Sequence, residues 1–132
     1  MKYPEIPQLY QVFLKHSNVI TDSRKAKDGA LFFSLKGESF DGNKFAASAL
    51  LQGCNYAVID DEDYYKGEQY ILVKDCLASL QALAKHHRAR LKIPFIGITG
   101  SNGKTTTKEL IKNVLSKKFE VLATTGNLNN HI

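Results

Sequence analysis

The chain has 132 residues, of which 43% are hydrophobic and 23% charged, a composition typical of folded globular proteins and not of disordered ones. No apolar run approaches the roughly 20 residues of a membrane-spanning helix, and the N-terminus lacks the apolar core of a signal peptide. We therefore expect a cytoplasmic protein without membrane insertion. The net charge of +5 comes from 18 basic and 13 acidic residues spread along the chain, which favours a solvated basic surface over a nucleic-acid-binding patch.

The first part of the sequence alternates helical and strand patterns. Residues 30–35 (ALFFSL) are apolar on both faces, as in a central strand of a covered sheet, and Asp75 is the expected N-cap of a helix over 76–91. This alternation predicts a parallel α/β fold. The remaining predicted elements are helices over 4–16 and 44–52 and strands over 19–21, 56–59 and 70–73.

The cysteines and the paired histidines carry no pattern typical of a metal site. Cys54 and Cys76 stand far apart, and we interpret both as buried apolar residues in a reducing compartment. His86 and His87 are adjacent and point in different directions around the predicted helix. Surface or helix-edge roles are favoured over catalysis for both.

Two polar segments follow predicted strands. Asp22-Ser23-Arg24 fits a turn cap better than a ligand site on spacing alone. The loop over 36–43 contains two glycines and several hydrogen-bonding side chains. Loops at the carboxyl ends of central strands are where α/β sheets bind ligands, but a plain connecting loop explains the same composition.

The most informative stretch is IPFIGITGSNGKTTTKE, residues 93–109. A β-branched apolar run, predicted to be a strand, passes through Gly100 and Gly103 into a helix-forming segment over 106–117. The glycines bring backbone N–H groups close to an anion, and the first amides of a helix lie at the positive end of its dipole. Lys104 would reach the β- and γ-phosphates, and the Thr105 hydroxyl is a candidate Mg²⁺ ligand. The pattern predicts a phosphate-binding loop in the short GxxGKT form, with an ordinary helix-capping loop as the alternative.

A further strand is predicted over 119–124, and a polar tail follows it. We expect a domain boundary near Lys74, which gives a small α/β domain over 1–74 and the opening βαβ part of a P-loop domain over 75–132. Too few residues remain to complete the second domain. We therefore expect the natural reading frame to continue beyond residue 132.

Three stretches together resemble the Mur ligases, the ATP-dependent amide-forming enzymes of bacterial peptidoglycan precursor synthesis. They are residues 21–59, the loop over 97–109 and the final segment TTGNLNNHI over 124–132. The resemblance implies a UDP-sugar-binding domain followed by the start of an ATPase domain. It also implies a reaction through an acyl phosphate, with UDP-N-acetylmuramoyl-peptide, ATP and D-alanyl-D-alanine as substrates and Mg²⁺ as cofactor. The family's acidic magnesium ligand and C-terminal domain would lie beyond residue 132, so this chain is expected to be inactive alone. We also expect a monomer.

The resemblance also carries site residues over to this sequence. It implies that Lys104 is catalytic and that Thr105 is the metal ligand. The ATP-binding residues would be Gly100, Ser101, Asn102, Gly103, Lys104, Thr105 and Thr106. The substrate-binding residues would be Ser23, Arg24, Lys36, Gly37, Asp41, Gly42, Asn43, Thr124, Thr125, Asn127 and Asn130.

Three other interpretations stay open at this point. The family member that adds the third residue of the peptide shares much of the pattern. A P-loop module that senses nucleotide without ligase activity would need no UDP-sugar. A nucleic-acid-binding domain is the least favoured, because the sequence shows no basic patch.

Overall fold

The computed structural model describes residues 3–124, which fall into two compact units divided between Leu91 and Lys92. In chain order the helices and strands are α1 (Ile6–Lys15), β1 (Val19–Ile20), β2 (Leu31–Phe33), β3 (Lys36–Gly37), β4 (Phe40–Asp41), α2 (Ala46–Leu51), β5 (Tyr56–Ile59), β6 (Tyr70–Leu72), α3 (Cys76–Arg88) and α4 (Lys104–Leu115). Short 3-10 turns lie at Ser23–Lys25, Gly42–Phe45 and Glu62–Tyr64. Among the helices of residues 3–124, none has the length and apolar character needed to cross a bilayer.

The first unit is built on a four-stranded sheet. Strands β1, β2, β5 and β6 lie in that spatial order, and each neighbouring pair is parallel. Strands β3 and β4 form a separate antiparallel hairpin. Parallel pairing requires a crossover between successive strands, and the intervening turns and α2 provide these connections. The predicted α/β class is confirmed.

The sheet buries apolar side chains on both of its faces. Leu31 and Phe33 lie in a core with residues of α1 and α3, and Phe32 lies in a second core with residues of α2. All three side chains are at most 1% exposed, and such burial contributes roughly 1.5–3 kcal/mol for each large apolar side chain. The prediction of a strand covered on both faces is confirmed.

Helix α3 belongs to the first unit, which corrects the predicted boundary near Lys74. Leu83 of this helix is 2% exposed within the first core, and the Tyr10 hydroxyl of α1 lies 3.2 Å from His87 Nδ1. His86 also packs edge-on against Tyr10. The boundary falls after α3 because the apolar stripe of this helix packs against α1 and the sheet, and the two histidines serve this packing.

The second unit lacks the strands predicted over 93–99 and 119–124. Within the described residues 92–124, α4 is the one helix or strand assigned. Ile93 and Ile96 are 59% and 61% exposed, although their pattern is that of a buried strand. A strand forms only where a neighbour exchanges ladder hydrogen bonds with it, and no such neighbour lies among these residues. The two strand predictions are therefore wrong for this structure.

Candidate functional site

The glycine loop of the second unit contains two backbone conformations that favour glycine. Gly100 has φ +144° and Gly103 has φ +77°, values that residues with a Cβ rarely adopt. An added Cβ would find no atom closer than 3.8 Å at Gly100 and none within 4 Å at Gly103. The backbone conformation, and not a lack of space, therefore requires glycine at both positions.

Helix α4 begins directly after this loop, with Gly103 as its N-cap. Its first i to i−4 hydrogen bond runs from the Thr107 amide to the Gly103 carbonyl, at 2.9 Å. The helix therefore starts at Lys104, two residues earlier than predicted, which brings the positive end of its dipole to the loop. An open depression of about 210 Å³ lies here and is lined by Ser101, Asn102, Gly103, Lys104, Thr105 and Thr106.

Lys104 folds back over the loop instead of pairing with a carboxylate. Its Nζ donates to the carbonyl oxygen of Gly100 at 2.6 Å and lies 3.5 Å from that of Ser101. No salt bridge joins Lys104 to another of the described residues. Within residues 3–124 the ammonium group thus lies at the depression with neutral carbonyl partners, where an anion can compete for it.

Thr124 lies beside the same helix. Its carbonyl oxygen accepts a hydrogen bond of 2.6 Å from Lys108 Nζ, and Lys108 is one helical turn beyond Lys104. This contact holds the segment after α4 against the helix that carries the loop. The predicted site residues Thr125, Asn127 and Asn130 lie outside the described residues.

Ser23 and Arg24 lie in the 3-10 turn that follows β1. Asp22 caps this turn, since its Oδ1 accepts from the Arg24 amide at 3.0 Å, and its Oδ2 lies 2.8 Å from Arg24 Nη2. The hydrogen bond from the Arg24 guanidinium lowers the pKa of Asp22 to about 2. The turn-cap interpretation is confirmed. The Arg24 side chain remains 88% exposed, and the turn contacts α2.

Residues 36–45, called here the edge loop, follow β2 and consist of the β3–β4 hairpin and a 3-10 turn. Asp41 caps this turn, with Oδ1 accepting from the Asn43 amide at 3.0 Å. Lys36 projects outward with a 46% exposed side chain, and Gly37 is exposed. Gly42 is buried, and an added Cβ there would lie 2.5 Å from the Leu35 carbonyl oxygen. The loop is therefore packed tightly against the end of β2.

Asn43 lies inside the edge loop and not on its surface. Its side chain is 1% exposed. Its Oδ1 accepts from Ser34 Oγ at 2.9 Å and from the Asp60 amide at 3.1 Å. Its Nδ2 donates to Asp41 and Asp60, each at 2.9 Å. These four bonds use the full capacity of the amide, so Asn43 supports the loop and has no group left for direct contact with a ligand.

Two side chains of this polar network, those of Ser34 and Asp60, were not predicted to belong to the site. Ser34 Oγ also lies 2.7 Å from the Val58 carbonyl oxygen, so its single proton is shared between that oxygen and Asn43 Oδ1. Asp60 Oδ2 accepts from the Cys76 amide at 3.0 Å. A signal was present, because Ser34 and Asp60 each follow the apolar run of a neighbouring parallel strand. Such positions share one edge of the sheet.

Together these features define a class of protein. The first unit is a parallel α/β domain with polar loops at the carboxyl edge of its sheet. The second carries a glycine loop, a lysine and a helix N-terminus around an open depression, which is the arrangement of phosphate-binding loops. The chain is thus an α/β protein whose glycine loop and helix N-terminus resemble those of phosphate-binding loops.

Comparison with known families makes the class specific. The pattern of the Mur ligase family, catalytic domain, matches residues 15–88, and that of the Mur ligase middle domain matches residues 98–132. The first match alone covers more than half of the chain. The chain belongs to the Mur ligase family.

Individual relatives are similar over most of this chain. A UDP-N-acetylmuramoyl-tripeptide–D-alanyl-D-alanine ligase of Synechocystis sp. is 46% identical over 121 residues, which cover 90% of this chain and 27% of the relative. The ligase of the same name from Bacillus subtilis is 44% identical over 128 residues, which cover 96% of this chain and 28% of the relative. The crystal structure of MurF ligase from Thermotoga maritima in complex with ADP aligns with a TM-score of 0.74 and 32% identity, over 85% of this chain and 26% of that one. The chain thus spans little more than a quarter of the length of these proteins.

Proposed function

We propose that this chain carries the UDP-side and ATP-phosphate-side binding elements of an ATP-dependent ligase that joins D-alanyl-D-alanine to UDP-N-acetylmuramoyl-tripeptide. The observation that carries the proposal is the glycine loop at residues 100–105, with its two positive φ angles and its lysine on neutral carbonyls, in a chain of this family. The names of the Synechocystis and Bacillus relatives support the choice of substrates, and the ADP complex supports the nucleotide.

The proposed reaction has two steps, and in the first of them both reactants are anions. The terminal carboxylate of the UDP-linked peptide attacks the γ-phosphorus of ATP, which forms an acyl phosphate and releases ADP. The amine of D-alanyl-D-alanine then attacks the acyl carbon, loses a proton and expels inorganic phosphate. Lys104 and the loop amides hold the ATP phosphates, which lowers the repulsion between the two anions and aligns them.

Magnesium fits the loop through Thr105. Its side chain lines the depression in the first turn of α4, and hydroxyl and phosphate oxygens are the hard ligands that Mg²⁺ prefers. Residues 3–124 contain no cluster of three or more His, Cys, Asp and Glu side chains that could hold a metal ion. Thr105 is therefore the protein ligand that we propose from this part of the chain. The ion would neutralise charge on the β- and γ-phosphates.

The substrate residues are proposed in the first unit. Ser23 and Arg24, together with Lys36 and Gly37 of the edge loop, would bind the UDP end. Asp41, Gly42 and Asn43 would keep that loop in shape. Thr124, together with Thr125, Asn127 and Asn130, would line the path to the acceptor. We also propose that the protein is a monomer. A cytoplasmic location is proposed because the two buried free thiols fit a reducing compartment.

Titration of the chain tests the binding part of this proposal. We expect UDP-N-acetylmuramoyl-tripeptide and ATP each to give heat in calorimetry, with no turnover by this chain alone. Binding of ATP without any binding of the UDP-peptide at millimolar concentration would favour a nucleotide-binding module over a ligase part.

The catalytic part of the proposal is tested in the whole ligase proposed above, of which this chain would form a part. We expect Lys104→Ala to abolish phosphate release in the presence of all three substrates, because the lysine is the one side-chain cation proposed at the phosphates. Lys112→Ala, two turns further along α4, is the matched control and should retain activity. Near-normal phosphate release by Lys104→Ala removes Lys104 from the mechanism.

A further inference from the structure

Asp60 connects three separate parts of the first unit through one carboxylate. Its Oδ1 accepts from Asn43 Nδ2 at 2.9 Å and lies 3.0 Å from Lys36 Nζ. Its Oδ2 accepts from the Cys76 amide at 3.0 Å. The hairpin of the edge loop, the following 3-10 turn and the N-terminus of α3 are thus bound to the residue that directly follows β5.

The two charged groups of the Lys36–Asp60 ion pair are not equally exposed. The Asp60 side chain is 11% exposed, whereas that of Lys36 is 46% exposed. A nearly buried carboxylate is stable only when it is paired and hydrogen-bonded, and Asp60 has such partners on both oxygens. The Lys36 ammonium has three donors, of which one faces Asp60, so the exposed side of the group can meet an anion from solvent.

The surrounding structure leaves the edge loop little freedom to adjust. The Asn43 amide makes its full set of hydrogen bonds, two of them to Asp60, and Gly42 has no space for even a Cβ. Loss of the Asp60 carboxylate would leave the Cys76 amide, one Asn43 donor and the Lys36 ammonium without their acceptor. Two of these groups, the Asn43 donor and the Lys36 ammonium, belong to the edge loop.

We propose that Asp60 is a positioning residue for nucleoside-diphosphate binding, which fixes the edge loop and aims the Lys36 ammonium at the diphosphate. This inference rests on the proposed function, since it names the residue that would position the edge loop for binding of the UDP end. Asp60 does not touch the ligand. It acts through Lys36 and Asn43.

The test compares two carboxylates at the N-terminus of α3. Asp60→Asn removes the charge but keeps the size of the side chain. Asp75→Asn makes the same change at the N-cap of α3, whose Oδ1 accepts from the Ala78 amide at 2.7 Å. No ion pair of the described residues joins Asp75 to the edge loop. Binding of UDP to the 132-residue chain is measured by calorimetry, and ATP serves as an internal reference because its proposed loop lies in the other unit.

We expect Asp60→Asn to weaken UDP binding at least about tenfold, the effect of losing a charge-assisted contact, and to leave ATP binding unchanged. Asp75→Asn should change UDP binding less than about twofold, because Asn caps a helix about as well as Asp does. Hydrogen exchange at the Gly42 amide, which donates to the Leu35 carbonyl at 2.9 Å, should accelerate in Asp60→Asn and not in Asp75→Asn.

A second variant covers the case in which Asp60→Asn fails to fold. In Lys36→Met/Asp60→Asn neither charge is left alone, so the fold should be retained, and UDP should bind as weakly as to Lys36→Met alone. Such non-additivity is the signature of a residue that acts through its partner.

Several results would overturn the inference. UDP affinity like that of the unsubstituted chain in Asp60→Asn or in the double variant would show that the pair does not position the loop. Tighter UDP binding by Asp60→Asn would show that the carboxylate competes with the ligand for Lys36. A loss of UDP affinity in Asp75→Asn equal to that in Asp60→Asn would show that the effect comes from the stability of α3. Absence of UDP binding by the unsubstituted chain is a separate result, because it removes the proposed function itself.

Discussion

The ammonium group of Lys104 lies 2.6 Å from the carbonyl oxygen of Gly100, so the lysine is bound to the loop that it is proposed to serve. A phosphate oxygen carries full charge and accepts more strongly than a neutral carbonyl. Arrival of a triphosphate can therefore draw Nζ from the carbonyl without breaking an ion pair.

Lys104→Ala should weaken ATP binding by the chain about tenfold to a hundredfold, the range for loss of a charged hydrogen bond. Calorimetric titration with ATP measures the change. Lys112→Ala serves as the control for net charge and should bind ATP like the unsubstituted chain. An unchanged affinity of Lys104→Ala would contradict the role of this lysine.

Gly100→Ala should also weaken ATP binding, because a Cβ is strained at φ +144° and the cost is roughly 1–3 kcal/mol. Gly97→Ala is the matched control, since Gly97 is not in the left-handed region and an added Cβ meets no atom within 4 Å. ATP titration of both variants checks this. Equal ATP affinities of Gly100→Ala and Gly97→Ala would show that ATP binding does not depend on the backbone conformation of Gly100.

Gly42→Ala should lower the free energy of unfolding by about 1–3 kcal/mol, as overpacking does in other tightly packed sites. The added Cβ would lie 2.5 Å from the Leu35 carbonyl oxygen and 2.7 Å from the Ser34 carbonyl carbon. Urea denaturation measures the change. In Gly37→Ala the new Cβ would lie at an ordinary 3.6 Å from Phe40, so its stability should stay within about 0.5 kcal/mol.

Stability in acid should depend on Asp60. Burial raises the pKa of this carboxyl, but hydrogen bonds from Asn43, the Cys76 amide and Lys36 outweigh that effect and lower the pKa below 3.8. The stabilisation is complete above the ordinary pKa of the unfolded chain and is lost as the pH falls through the lowered pKa of the folded chain.

Urea unfolding between about pH 2 and pH 5 tests this linkage. The free energy of unfolding should fall less steeply with acid in Asp60→Asn than in the unsubstituted chain. Asp63→Asn, which removes an exposed carboxylate from the neighbouring turn, should keep the steep fall. Parallel curves for Asp60→Asn and the unsubstituted chain would contradict the assignment.

Both thiols should resist modification in the folded chain. Cys54 and Cys76 are 2% and 0% exposed, and burial raises the pKa of Cys76 to about 12, whereas the thiolate is the reactive form. A thiol reagent at neutral pH should modify neither residue in buffer and both in urea. Rapid modification in buffer would show that the first unit opens readily.

Local sequence patterns were sufficient to predict much of the structure of the first unit. The burial of Leu31, Phe32 and Phe33 on alternate faces of the sheet follows from an apolar run of strand length. Asp75 could be recognised as an N-cap because its hydrogen bond from the Ala78 amide spans three residues. The glycine loop was recognisable for the same reason, since its atoms come from consecutive residues.

Features that depend on distant partners were not predictable in this way. The network around Asp60 joins residues far apart in the sequence, and no local pattern shows that Asn43 would lie inside the loop. Nor can a periodic apolar stripe show which unit a helix packs against, which is why the boundary near Lys74 was misplaced. The predicted strand over 93–99 failed similarly, because pairing depends on a neighbour elsewhere in the chain.

The division between Leu91 and Lys92 has a practical consequence for proteolysis. Arg90 and Lys92 are exposed in the irregular segment between α3 and the glycine loop, where trypsin can bind an extended backbone without first opening a core. A brief digestion should cut here first. One fragment would keep the edge loop and the other the glycine loop. Mass spectrometry would identify each fragment, and the binding of UDP and ATP could then be measured for each fragment separately.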